Sequence, residues 1–293
     1  MLLKGLDRLY SNSNKIKIDD SSKLIIMSDC HRGAGDNFDN FLKNRNIFLG
    51  ALRHYYYRGF TYIELGDGDD FWEVKKYKDI IEEHISAFKL IKKFHQNNRF
   101  IMLYGNHDIV KRQPQILKEY FSTYYDKFSN EEKELLADLQ VFESLILDYD
   151  GKEIFLLHGH QVDFFNSNLW RLSRFLVRNV WRKLEGIGIK DPTKAAKKYS
   201  VSESVERKLQ KWSIENNKLL IAGHTHRPIM PNVGESLYFN DGSCIHPNGI
   251  TCIEIEDGHI SLVKWEYNIT KKKTINIKRT ILGRPVPIKS YFH

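Results

Sequence analysis

Five short polar clusters, each just after an apolar run, constrain this 293-residue chain more than any other feature. They are Asp29-Cys30-His31, Gly66-Asp67-Gly68-Asp69-Asp70, Gly105-Asn106-His107-Asp108, His158-Gly159-His160 and Gly223-His224-Thr225-His226. The runs before the first three are Leu24 to Ser28, Thr61 to Leu65 and Phe100 to Tyr104. Each is short, apolar and closed by turn residues, which predicts buried strands. Between them, Phe41 to Tyr57 and Ile80 to Phe94 carry the helical period. Strand, helix, strand, helix, strand at this spacing predicts βαβ units around a parallel sheet. In an open α/β sheet ligands bind beyond the carboxyl ends of the strands, so these clusters should meet in one crevice. Residues two apart on an extended segment share a face. Asp29 and His31 should then reach one ion, and His224 and His226 a pair of neighbouring ions. Any one cluster alone reads as turn chemistry. Five in order, each at a strand end, do not.

The rest of the chain fills in around this frame. Val141 to Leu147 and Glu153 to Leu157 flank an Asp150-Gly151 turn and predict a hairpin. A polar stretch near Asn130 to Leu136 reads as helical, and Leu219 to Ala222, Ser236 to Phe239, Ile250 to Ile255 and His259 to Lys264 read as strands. The early half therefore looks parallel and the late half antiparallel. One domain over residues 1–293 is expected, with a helical cap inserted at about 162–215 and a basic tail at about 271–293 lying extended over the surface. At 41% hydrophobic and 28% charged residues, the chain can bury a sizeable core, which excludes disordered and disulfide-stapled classes. No apolar run nears the roughly 20 residues of a membrane span, and the charged N-terminus lacks a signal-peptide core. Three widely spaced cysteines without a Cys-x-x-Cys fit reduced thiols, so a cytoplasmic location is expected. A net charge of +8 suits phosphates, nucleic acid or an anionic membrane.

Asp-x-His, Gly-Asp-x-x-Asp, Gly-Asn-His-Asp, His-Gly and Gly-His-Thr-His in this order resemble the calcineurin-like metallophosphoesterases over roughly residues 23–265. The resemblance implies an α/β fold: a four-layer αββα sandwich of two mixed sheets, with a two-metal site on one edge. It places one metal on Asp29, His31, Asp67 and His226, and the other on Asp67, Asn106, His158 and His224, with Asp67 bridging. Mixed oxygen and imidazole donors favour two Mn²⁺ ions, with Fe²⁺/Fe³⁺ or Zn²⁺ as alternatives, over Ca²⁺. Two ions lower the pKa of a bridging water and clamp the phosphoryl group, so the resemblance implies attack by a bridging hydroxide without a covalent protein nucleophile. By the same resemblance His107 serves the leaving group as general acid or charge stabiliser, and Asp70 orients it. The residues themselves leave Asp70 open to a capping role. They read Asp108 as a cap, Cys30 as core packing and His160 as a neighbour of the ligands; Asp69 has no assigned role.

Within the superfamily, Asp70-Phe71-Trp72 and Asp108 depart from the protein Ser/Thr phosphatase pattern. Together with Gly223-His224-Thr225-His226-Arg227-Pro228 and the helical insert, they resemble the UDP-2,3-diacylglucosamine diphosphatases. That branch carries Arg where this chain has His107. The implied substrate is a nucleotide-linked or lipid-linked phosphate cleaved as a pyrophosphohydrolase or phosphodiesterase. On a helical wheel Arg171, Arg174, Arg178 and Arg182 share an arc of about 80°. Trp170, Leu172, Leu176, Val177, Val180, Trp181 and Leu184 cover the opposite half. Such a helix is a candidate lid that binds phosphate, an acyl chain or, as a peripheral contact, the inner face of a membrane. A second helical piece, Ser202 to Ile214, is expected beside it. A nuclease reading lacks the interleaved aromatic and basic residues of strand-tracking proteins. A scaffold that has lost its metals would lack a ligand, and all seven positions are filled.

Overall fold

The computed structural model describes residues 2–163, 170–177, 199–271 and 273–292. Most of the cap, including Arg178, Val180, Trp181, Arg182 and Leu184, lies outside them.

Helix α1 (Leu2–Ser11) and strand β1 (Asn14–Ile18) precede β2 (Leu24–Met27), α2 (Arg45–Tyr57) and β3 (Thr61–Leu65). Two short helices follow, α3 (Tyr77–Glu83) and α4 (Ile85–Gln96), where the sequence predicts one; His84 breaks them and is buried against Asp39. Then come β4 (Phe100–Leu103), α5 (Pro114–Tyr120) and a polar hairpin, β5 (Thr123–Asp126) and β6 (Glu131–Glu134). That hairpin corrects the helical reading of Asn130 to Leu136. Next are β7 (Val141–Phe142), β8 (Ser144–Tyr149), β9 (Lys152–Leu157), α6 (Trp170–Leu176) and α7 (Tyr199–Glu215). The chain closes with β10 (Leu219–Ala222), β11 (Tyr238–Asn240), β12 (Ile250–Glu256), β13 (His259–Ile269) and β14 (Ile275–Pro287).

The strands form a seven-stranded sheet, β14-β13-β12-β2-β3-β4-β7, and a five-stranded sheet, β1-β8-β9-β10-β11. Both are mixed. In the first, β2, β3, β4 and β7 run parallel and β12 to β14 antiparallel. In the second, β8 and β9 form the expected hairpin, but β1 joins β8, and β10 joins β9 and β11, in parallel. The late half is thus not simply antiparallel. The tail is also corrected: β14 pairs with β13 along the sheet edge, and Ile288 and Tyr291 beyond it are buried.

Alternation along the strands builds the layers. On β2, Ile25 and Met27 face one apolar cluster, with Phe48, Leu52 and Phe88 of α2 and α4; Leu24 and Ile26 face another. That second cluster holds Ile63, Leu65 and Leu103 against Leu145, Leu147, Leu156 and Ile221 of the other sheet. A third lies outside the five-stranded sheet, where Phe155, Leu157 and Leu220 meet Leu6 of α1 and Val205, Leu209 and Trp212 of α7. Period-two burial on both faces of two sheets gives the αββα sandwich. Among the described residues no helix is long and apolar enough to cross a membrane. The three cysteines are free and buried, as core packing of Cys30 requires.

Candidate metal centre

All five clusters meet where the carboxyl ends of both sheets come together. The loop after β2 is pinned to the loop after β3: the amides of Asp29, His31 and Arg32 donate to the carbonyls of Gly66, Asp67 and Gly68. The loop after β10 closes from the other sheet, its His224 amide donating to Asp29 Oδ2 at 2.9 Å. The site's glycines are there because nothing larger fits. At Gly66, which holds φ +91°, a Cβ would lie 2.6 Å from His158 Nδ1, and at Gly105 it would collide with the Asp67 carboxylate.

The convergence is not the extended arrangement the spacing predicts. Asp29, His31, Asp67, His224 and His226 all take positive φ, from 48° to 66°. That left-handed region is uncommon for residues with a Cβ and costs roughly 1–3 kcal/mol each unless the surroundings impose it. Each residue turns back into the crevice through a left-handed loop, which brings its side chain to the same place by a tighter route.

Three groups of donors result: Asp29, His31 and His226; His31, Asp67 and His107; and Asp67, His158 and His224. Within each group the donor atoms lie within 4.8 Å of one another, and each group could hold a metal ion. His226 Nε2 stands 2.8 Å from Asp29 Oδ1, and His158 Nε2 3.2 Å from Asp67 Oδ2. Asp67 is shared between groups and is buried. Asn106 Oδ1, on the residue before His107, is buried with no hydrogen-bond partner, and His158 Nε2 has the Asp67 carboxylate near it but no aligned hydrogen bond. A buried orphan acceptor is costly. Orphans among carboxylates and imidazoles are what a metal centre leaves when its ions are absent, so the residues present fit divalent metal.

The electrostatics agree. Burial alone would raise Asp29 and Asp67, yet the surrounding imidazoles, led by His226 at Asp29 and by His158 at Asp67, hold both well below the usual carboxylate range. Burial would likewise lower His158, but Asp67 and Asp29 outweigh it and raise it to about 9. His31 is raised by Asp29, Asp70 and Asp67 against the same burial. His158 Nδ1 donates to the Leu65 carbonyl at 2.9 Å, so Nε2 is the atom for which proton and metal compete. Metal needs the neutral imidazole, so apparent Mn²⁺ affinity should fall about tenfold per pH unit below the His158 pKa, and more steeply as His31 takes up its proton. Mn²⁺ titrations between about pH 6.5 and about pH 8.5 measure this, and a flat profile would remove both histidines from the ligand set.

His107 is held on three sides. Its Nδ1 lies 2.9 Å from Asp70 Oδ1, its ring stacks on Trp72 at 4.3 Å and 19°, and its edge meets His31 at 4.6 Å. Asp70 also accepts the amides of Trp72 and Glu73, so it caps the local turn and orients the imidazole at once. His160 is buried beside His158 and His224, and burial keeps it well below an ordinary imidazole. Asp108 is no cap for the segment after it. Its carboxylate turns back to accept the amides of Gly105, Asp67 and Gly68. Of the cap arginines, Arg171 is exposed and Arg174 is half-buried, donating to Tyr77 Oη at 2.6 Å.

Several neighbours escape a reading of the sequence. Ser28 Oγ lies 2.5 Å from Asp29 Oδ2 and 2.8 Å from Asp241 Oδ1. Burial and the Asp29 charge push the Asp241 carboxyl well up. Asp163 Oδ2 stands 3.4 Å from His224 Nε2. Asn240-Asp241-Gly242 after β11 is a sixth polar cluster at a strand end, and that position was the signal for Asp241.

The family model of the calcineurin-like phosphoesterase superfamily domain matches residues 23–257. A conserved protein of Streptococcus pneumoniae TIGR4, described as a predicted phosphoesterase, is similar at 16% identity and TM-score 0.36, over 89% of this chain and 98% of that one. Vps29 of Chaetomium thermophilum is similar at 9% identity and TM-score 0.41, over 89% and 96%. A comparison with curated proteins returns no match. With the match across most of its length and the donors of its motifs gathered at one sheet edge, the chain belongs to the calcineurin-like phosphoesterase superfamily, metal-dependent hydrolases of phosphoric esters.

Proposed function

We propose that the protein is a two-metal phosphohydrolase acting on a nucleotide-linked or lipid-linked phosphate, by cleavage of a pyrophosphate or phosphodiester bond. The observation that carries the two-metal reading is Asp67, a buried carboxylate shared by two donor groups, one with His31 and His107 and one with His158 and His224. Asp29, His31 and His226 would hold one ion with Asp67, and Asn106, His158 and His224 the other; Mn²⁺ suits this mixed donor set. When bound, such a pair supplies Lewis-acid activation of water and charge neutralisation at the phosphoryl group. The chain's own residues do the rest. Asp70 accepts from His107 Nδ1, which turns Nε2 toward the crevice as a proton donor for the leaving oxygen. Trp72 fixes the plane of that ring.

The cap supports the amphiphilic substrate. Helix α6 sits close to the site through Arg174 on Tyr77, Tyr77 stacked on Phe71 at 4.2 Å, and Phe71 next to Asp70. Trp170 packs against the core, whereas Leu172 stands 53% exposed. An apolar side chain turned to solvent on this helix supports an acyl chain as part of the substrate. Burying such a residue is worth about 1.5–3 kcal/mol, so Leu172→Ser should lower kcat/KM for an acylated nucleotide-sugar at least about tenfold. A short bis-aryl diester should be cleaved as before. Equal loss on both substrates, or none, would reduce the helix to packing.

The test of function is a hydrolysis panel with Mn²⁺: bis-aryl phosphate, acylated nucleotide-sugar, phosphopeptide and single-stranded DNA. The proposal expects turnover of the first two. Preference for the phosphopeptide or for DNA would overturn the substrate class and leave the metal centre standing.

A further inference from the structure

Directly behind the metal centre lies a cluster of five charged residues, all fully buried: Arg32, Glu64, Asp69, Asp108 and Lys111. Arg32 grips Glu64 with both terminal nitrogens at 2.8 Å and reaches Asp69 with Nε at 2.6 Å. Lys111 Nζ lies 2.7 Å from Asp69, 2.8 Å from Asp108 and 3.8 Å from Glu64. Burying five charges costs several kcal/mol per ion unless their geometry repays it, so a cluster this dry is seldom kept for stability alone. What it touches identifies its use. Arg32 follows His31, Asp69 follows the Asp67 loop, and Asp108 follows Asn106 and His107. The Asp108 carboxylate accepts the Gly105 amide at 2.7 Å, the Gly68 amide at 3.1 Å and the Asp67 amide at 3.3 Å, and the His107 amide donates to Asp67 Oδ1 at 2.8 Å. One salt-bridge cluster therefore holds the loops after β2, β3 and β4 against one another.

We infer that this buried cluster, with Asp108 as its contact to the loops and Lys111 as its counter-charge, assembles the Asp67 and Asn106 loops into metal-binding geometry before any metal arrives. Asp108, Asp69, Lys111 and Arg32 are positioning residues. They face away from the crevice and act through the loops. The arrangement also fits the left-handed backbone at Asp29, His31 and Asp67, a conformation that persists only where the surrounding structure over-determines it. The inference rests on the metal reading of the site, and its test separates the two.

Asp108→Asn is the decisive variant. It leaves two cations facing two carboxylates, Glu64 and Asp69, where the wild-type cluster has three, so no buried cation loses its last counter-charge. The amide offers one acceptor oxygen where the carboxylate serves three backbone donors. Mn²⁺ affinity, by calorimetric titration of the metal-free full chain, should fall about 10–100-fold, the usual effect of losing an outer partner of a ligand. The melting temperature of the metal-free variant should stay within about 5 °C of wild type. Wild-type affinity in Asp108→Asn would overturn the inference, as would an affinity loss that merely accompanies collapse of the melting temperature.

Hydrogen exchange on the metal-free wild-type chain needs no variant. Peptides covering the Asp67, Gly68 and Gly105 amides should be as protected as those of β3, and Mn²⁺ should add little. Amides that exchange within seconds and slow only on adding Mn²⁺ would overturn preassembly. A wild-type chain that binds no Mn²⁺ would instead overturn the metal reading.

Discussion

Asp67→Ala should be purified with neither metal, whereas His158→Ala should keep one. The two residues should differ because Asp67 belongs to two of the candidate donor groups and His158 to one. The Asp67 side chain is also where the charges meet: its carboxylate faces His158 Nε2 at 3.2 Å and His31 Nε2 at 3.9 Å, and it accepts the His107 amide. On the two-metal proposal, removing it takes away the shared ligand and the anion that faces the His158 and His31 imidazoles. Activity should fall at least about 10³-fold, the scale of losing a single strong stabiliser of the developing charge. His158→Ala should retain one equivalent, with affinity at the second position reduced more than the roughly 100-fold that outer partners cost. Metal content of the purified variants by mass spectrometry checks both. Two equivalents retained in Asp67→Ala would sink the assignment.

His107→Gln should cut kcat by about 10²–10⁴ on a substrate with a poor leaving group, and much less on an aryl ester whose leaving group needs no proton. The structure supports this split through orientation. Nδ1 is committed to Asp70 at 2.9 Å and the ring is sandwiched by Trp72, so Nε2 is the nitrogen left for a reacting oxygen. His107 also lies within ligand range of His31 and Asp67, so the variant tests a competing role. A general acid leaves metal stoichiometry intact when replaced. Loss of an equivalent in His107→Gln would make it a ligand, and equal losses on both substrates would leave only charge stabilisation.

How much of this was legible in the sequence follows from which signals are local. Strands β2, β3 and β4 are short apolar runs closed by Gly, Asp and Asn, and their ends name the donors directly. The amphipathic periods of α2 and α4, and of α7 with Val205, Leu209 and Trp212, are equally local. Other elements were illegible because their own residues argue otherwise. Glu131-Glu132-Lys133-Glu134 is a strong helix former by propensity, yet it is an exposed strand held by pairing with Thr123–Asp126. Strand β14 carries lysines and arginines and reads as a solvated tail; it is an edge strand because β13 offers it a partner along its length. Parallel pairing of β1 with β8 joins segments about 130 residues apart, and no local pattern announces it.

The site divides the same way. Its donors were legible as motifs, but the left-handed turns that aim Asp29 and His31 were not, since nothing local distinguishes them from an extended Asp-x-His. Asp108 misled for a plain reason: an acid just before a helical turn usually caps it. Here three amides in front of it compete for the carboxylate and win. Arg32, Glu64 and Lys111 are ordinary charges in the sequence, and only the fold shows that they meet in one buried cluster.

The most direct measurement is stepwise Mn²⁺ loading of the metal-free chain, following bound metal and diester hydrolysis in the same samples. The two-metal account predicts saturation at two equivalents, with turnover rising steeply as the second ion binds. Saturation at one equivalent with full turnover, or hydrolysis undiminished in the metal-free chain, would contradict it.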